Sequence, residues 1–308
     1  MKWLSRVVLL AFVASALAVA AAQNQSEGVP VHMVVTVETR HGSAMPDISQ
    51  QDVMVNQGKN RLKTTEWLPL KGDRAGAQVW ILIDDGLNTS LGSQLDDIRQ
   101  FINGLPTTTA VGVGYMRDGT VEIAQDLTND HAKAAKSLRL PLGNPGINSS
   151  PYIALQDLMK RWPEAQERRE VLMVTDGIDR LWEEDGIEDP YVDETRDQAQ
   201  KAGILVFSIY SPGVGHYSHS YWRTNWAQSY LSQLSDETGG ESYYIMYGTP
   251  VAYVPYLNDF SQKLGRQYLL TFLARPGKKA GLQKVRVQTE VPNVDLVAAD
   301  AVWVPAGQ

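Results

Sequence analysis

The chain has 308 residues, of which 43% are hydrophobic and 20% charged, the balance of a globular protein with a substantial core. A formal charge of −7 with no basic stripe argues against nucleic acid as a partner. The lack of cysteine excludes disulfides, thiol catalysis, thiolate metal sites and a lipid attached through cysteine.

The N-terminus reads as a secretory signal peptide over residues 1–22: Lys2 and Arg6 supply the positive charge, Val7 to Val19 the apolar run, and Ala20 to Ala22 the small residues of a cleavage site before Gln23. No later segment is long and apolar enough to span a membrane, so the exported chain, periplasmic or extracellular, is expected to carry no integral membrane segment.

A β segment is expected over residues 23–75. Val31 to Thr39 reads as a strand, Asp47 to Lys59 as a turn, strand and hairpin, and Leu62 to Leu68 as a further strand. An α/β region over residues 76–265 follows. It opens with Gln78-Val79-Trp80-Ile81-Leu82-Ile83-Asp84, a continuous apolar run of the kind that forms a strand covered on both faces. Leu91, Leu95, Ile98 and Ile102 recur at helical spacing, and Thr89 or Ser90 is the expected cap. Asp118-Gly119 between two strand-like runs is a hairpin signal. Asp130 to Leu138 and Tyr152 to Met159 read as helices, and Val171-Leu172-Met173-Val174-Thr175-Asp176-Gly177 repeats the pattern of a buried strand ending in an acid. Further alternation gives a helix from Asp193, a strand Ile204 to Tyr210, a helix from Trp226, a strand Glu241 to Met246 and a helix Val251 to Leu264. Residues 266–308 return to β character and are expected to pair with the N-terminal β segment, because a lone hairpin is marginal in water.

A strand ending in Asp84 with a polar loop and helix after it, then a strand ending Thr175-Asp176-Gly177, resembles the von Willebrand factor A domain, whose signature is strand-Asp-x-Ser-x-Ser-helix followed by strand-Thr-Asp-Gly. Together with the Thr238-Gly239-Gly240 and Gln267-Tyr268-Leu269-Leu270 segments, it is similar to bacterial secreted "VWFA-related" proteins. The resemblance implies a doubly wound, mostly parallel sheet with one antiparallel edge strand, plus a small β-sandwich-like module from both chain ends. It also implies a divalent metal, Mg²⁺ or else Mn²⁺ or Ca²⁺, at Asp84, Asn88, Ser149 and Asp176. The site is degenerate, since Gly86 and Asn88 stand where the family has serines. Ser150 is the alternative to Ser149, and Asp85 falls outside the ligand pattern. If the loop can host the side chain, Gly86→Ser should strengthen metal binding. The competing reading is a metal-free relic, in which Asp84 caps the following helix and Asp176 bonds to loop amides.

Other candidates are plainer. The acidic loop Glu183 to Asp189 lacks the ligand alternation of an EF-hand and reads as solvated. His216 and His219 lie in a Gly-rich loop without a partner cluster. Tyr217, Tyr221 and Trp222, in a loop after a sheet strand, are candidates for binding a protein partner; the alternative is that Trp222 and Trp226 pack on the neighbouring helix. No Gly-x-Ser-x-Gly, His-Glu-x-x-His or phosphate loop is present, so an enzyme is not expected and a hydrolase is the weakest reading. A secreted binding, adhesion or assembly module comes first, and a metal-free structural envelope protein second. Exported material should begin near Gln23 by mass spectrometry; a soluble exported form retaining Met1 to Ala22 would refute the signal-peptide reading.

Overall fold

The computed structural model describes residues 28–40, 45–165, 167–182, 188–213, 221–244 and 250–307. The expected signal peptide, Tyr217, His216, His219 and residues 183–187 of the acidic loop lie outside the described residues.

The chain opens with β1 (Val29–Thr39), β2 (Val53–Gln57) and β3 (Asn60–Pro69). The α/β region then runs β4 (Ala77–Asp84), α1 (Gly92–Gly104), β5 (Thr109–Arg117), β6 (Thr120–Thr128), α2 (His131–Lys136), α3 (Pro151–Arg161), β7 (Arg168–Thr175), α4 (Pro190–Ala202), β8 (Ile204–Tyr210), α5 (Tyr221–Thr238), β9 (Ser242–Tyr243) and α6 (Val254–Leu264). Five short strands end the chain: β10 (Gln267–Ala274), β11 (Gly281–Lys284), β12 (Arg286–Thr289), β13 (Val294–Ala298) and β14 (Ala301–Val304).

The central sheet has the order β6-β5-β4-β7-β8-β9, parallel throughout except for the antiparallel edge strand β6. Its middle strands are apolar end to end because helices cover both faces. Val79, Ile81 and Ile83 meet α1, α2 and α6 on one face, while Trp80 and Leu82 meet α3, α4 and α5 on the other. The β5–β6 hairpin turns on Asp118 and Gly119, both at positive φ (51° and 69°), the geometry of a type I′ turn. Side chains cap several helices: Ser150 accepts the Ile153 N–H before α3, and Asp189 accepts those of Tyr191 and Val192 before α4, each with proline in the first turn. The helix α1 departs from expectation. It starts after Leu91 with no side-chain cap, and Thr89 and Ser90 stay exposed.

The two chain ends share a second sheet, six-stranded and antiparallel, of order β12-β2-β3-β10-β1-β13, beside a ribbon of β11 and β14. Val35, Val55, Leu270 and Phe272 are its innermost core, and Trp67 stacks on Tyr268 at 4.4 Å. The connections to the α/β unit are short. β10 begins three residues after α6 ends, and the Leu70 N–H donates to the Gln267 carbonyl at 2.9 Å. Lys263 near the end of α6 sits among Glu38 of β1, Glu241 and Asp259, which ties the two sheets together by charge.

One buried group at this seam is costly. Glu170, near the start of β7, is fully buried, and neither carboxylate oxygen has a well-formed hydrogen bond. Arg168 Nε stands 3.8 Å away, and the Gln267 amide is close without being aligned to bond. Burial pushes the Glu170 carboxyl up to about 7, with Arg168 and Gln267 opposing. A folded pKa above the unfolded value of an acid means that stability is retained at low pH and lost as the pH rises towards 7. A rise from 4.5 to about 7 corresponds to about 3 kcal/mol. Asp189, raised by burial to about 6, acts with the same sign. Urea melts at pH 5 and pH 8 should therefore show lower stability at pH 8, and Glu170→Gln should remove about 2–3 kcal/mol of that difference.

Candidate functional site

In a doubly wound sheet, the crevice lies where the chain switches direction of winding, outside the carboxyl ends of the two central strands. Here those strands are β4 and β7, and they end in Asp84 and, one residue beyond the strand, Asp176. Both carboxylates are buried, at 2% and 1% exposure. Burial first, and then the charge of Asp176, push the Asp84 pKa up; Arg180, the Gly86 N–H and the Thr175 hydroxyl oppose the rise.

Every oxygen of the pair is engaged. Asp84 Oδ1 accepts the Gly86 N–H at 2.7 Å, and Oδ2 accepts the Thr175 hydroxyl at 2.8 Å, which links β4 to β7. Asp176 Oδ1 accepts the Ile178 N–H at 3.0 Å. Its Oδ2 takes the Arg180 guanidinium at 2.7 Å. The Arg180 side chain is largely buried and also donates to the Ile178 carbonyl, while its backbone N–H donates to the Ser149 carbonyl at 2.8 Å. Burial disfavours its charge, but Asp176 and Asp84 outweigh that and keep the pKa raised.

The crevice is roofed. Leu87 pairs with Gly213, just beyond β8, in an isolated antiparallel bridge, and residues 84–87 are all buried. A side chain at Gly213 would meet Asp176 Oδ2 at 2.5 Å and the Gly86 carbonyl at 3.0 Å, so only glycine lets the backbone pass there.

The expected metal ligands do not converge. Asp84 and Asp176 adjoin, but Asn88 is exposed, with its amide oxygen turned back on the Ser90 N–H. Ser149 is buried and meets Arg180 through its carbonyl. Ser150 is committed to capping α3 and to Asp179, whose Oδ2 accepts its hydroxyl at 2.6 Å. Among the described residues, no three His, Asp or Glu side chains form a metal set. With Arg180 in place the donor set does not fit a divalent ion, because the Asp176 oxygen facing the crevice already holds its guanidinium. Asp84 does not cap α1 either. Its partners are Gly86 and Thr175, so this part of the relic reading is corrected as well.

Asp85, outside the expected ligand pattern, is fully buried. Its carboxylate holds Arg139 in a two-pronged pair at 2.6 and 2.9 Å, and Arg139 lies 3.7 Å over the Tyr115 ring. The Asp85 carbonyl accepts the Asn144 N–H at 2.9 Å, fastening the 137–150 loop to the carboxyl edge of the sheet. Of the aromatic candidates, Tyr221 and Trp222 begin α5, 60% and 63% exposed and edge-to-face at 5.7 Å. Trp226 stacks on Tyr230 instead. Arg180, Thr175 and Arg139 were not singled out from sequence. The one available signal was that Arg180 is the sole basic residue between Asp176 and Asp189.

The strand order and antiparallel edge match the von Willebrand A pattern, and solved structures similar to the chain include von Willebrand A domains. A von Willebrand factor type A protein from Catenulispora acidiphila is 10% identical, covering 92% of this chain and 75% of its own, at a TM-score of 0.43. The ArnB paralog VWA2 from Sulfolobus acidocaldarius is 10% identical over 89% and 76%, at 0.40. An aerotolerance-related membrane protein from Bacteroides fragilis is 14% identical over 61% and 98%, at 0.45. No family model and no curated protein matches the chain.

A side chain at Gly86 would meet Pro145 Cβ at 2.7 Å and Asp84 Oδ1 at 3.0 Å, so the loop has no room for the serine that the family pattern suggests. Gly86→Ser should cost about 1–3 kcal/mol in a denaturant melt, the cost of overpacking, with no recovery on adding Mg²⁺.

Proposed function

We propose that the chain is an exported protein-binding module, without enzymatic activity, that meets its partner through the carboxyl edge of the α/β sheet. One observation carries this reading: eight of the ten exposed large apolar side chains among the described residues lie on loops or first helical turns at that edge, a concentration that marks interaction sites on soluble proteins. The 137–150 loop contributes Leu140, Leu142 and Ile147, the last 90% exposed. The start of α5 contributes Tyr221 and Trp222, and the approach from β9 to α6 contributes Tyr244, Val251 and Val254. Tyr217, four residues before Tyr221 in the sequence, belongs to the proposal by position.

The acids at the strand ends favour binding over catalysis. Asp84 is held by Gly86 and Thr175, Asp85 by Arg139, Asp176 by Arg180 and Asp179 by Ser150, so these carboxylates are spent on contacts within the chain. No described helix is long and apolar enough to cross a membrane.

The test is capture of the partner from an envelope extract of the source organism, followed by titration. Trp222→Ala and Ile147→Asp should each weaken binding about tenfold or more, as loss of an interface anchor does. Both should melt within about 0.5 kcal/mol of the parent, as exposed substitutions do. Unchanged binding by both variants would place the partner elsewhere.

A further inference from the structure

We propose that Arg180 is a built-in cation that takes the seat a divalent ion would need between Asp84 and Asp176, so that the crevice works permanently without metal. Two carboxylates buried at adjacent strand ends each oppose the other's ionisation unless a positive charge stands beside them. Here that charge is part of the chain. The guanidinium reaches Asp176 Oδ2 at 2.7 Å from four residues downstream, and Asp84 also feels its charge.

Three features hold it in place rather than leaving it to swing. Its own N–H is fixed to the Ser149 carbonyl at 2.8 Å, at the loop that leads into α3. A second prong donates to the Ile178 carbonyl at 3.2 Å. The Gly213 backbone passes over the Asp176 oxygen that the guanidinium binds, and the Leu87–Gly213 bridge closes that side. An ion entering from solvent would have to part this bridge and expel the arginine, leaving a charged side chain in a buried space. A tethered cation also loses no translational freedom on binding, so it excludes a competing free ion at ordinary concentrations.

The inference stands on the geometry of the crevice and needs no partner, so its test is separate from that of the binding reading. The full chain is melted in EDTA and in millimolar MnCl₂, and free Mn²⁺ is followed by electron paramagnetic resonance. The parent should melt at the same temperature in both and leave the Mn²⁺ signal unchanged, and Arg180→Lys should share this indifference. Arg180→Met, similar in length but uncharged, should melt lower in EDTA and recover saturably with Mn²⁺. Adding Asp176→Asn to Arg180→Met should restore the melt without metal and abolish the response, because the charge that needed neutralising has gone.

If Arg180→Met does not fold, the double variant still decides: folding by the double supports the proposal, and failure of both overturns it. A parent melt that rises with Mn²⁺, or Mn²⁺ bound by the parent, would overturn it. So would an Arg180→Met protein that melts like the parent, or one destabilised equally with and without Mn²⁺.

Discussion

Two acids forced together out of water set the terms for the rest of the α/β unit. The winding of the sheet brings the ends of β4 and β7 side by side, and the sequence puts a carboxylate at each. In a medium of low dielectric such a pair is tolerable only if its oxygens are hydrogen-bonded and its charge is balanced. The answer is a chain of contacts that also organises the backbone: Gly177 N–H to Thr175, Thr175 to Asp84, Asp176 to Arg180, and Arg180 to the segment before α3. Asp85 repeats the device with Arg139 and thereby fixes the 137–150 loop. Charge balance and loop placement are therefore the same interactions seen from two sides.

This inward use of charge explains the character of the outer rim. The polar side chains at the strand ends are spent on one another, so the loops around them are free to show Leu140, Ile147, Trp222 and Val251 to solvent.

Much of the architecture was legible because burial on both faces leaves a plain mark. The runs ending at Asp84 and Asp176 could hardly be anything but covered parallel strands, and Asp118-Gly119 wrote its hairpin into two residues. The site was less legible, for a physical reason. An arginine in a loop reads as solvated, but Arg180 is largely buried where it pairs with Asp176 at the end of a covered strand. The role of Asp85, placed from sequence only outside the ligand pattern, was hidden because its partner Arg139 lies 54 positions away. The helix α5 extends ahead of Trp226 to Tyr221, a stretch not read from sequence because the exposed Tyr221 and Trp222 break the apolar periodicity there. The ligand set around Asn88 failed on direction: the residue has the right chemistry but turns its oxygen to its own backbone.

The pairing of β1 has a consequence for how the molecule comes into being. Its neighbours on both sides, β10 and β13, belong to the last part of the chain. A polypeptide made or exported from its N-terminus therefore presents Val31 to Val37 as a strand with two bare edges until nearly everything else has emerged. Such distant closure is slow, because the entropy of the long loop is lost before any contact repays it. During that interval the bare strand is open to pairing with other chains. The β2–β3 hairpin can close locally, but β1 finds its place in the sheet only through β10 and β13, which follow the α/β unit in the chain.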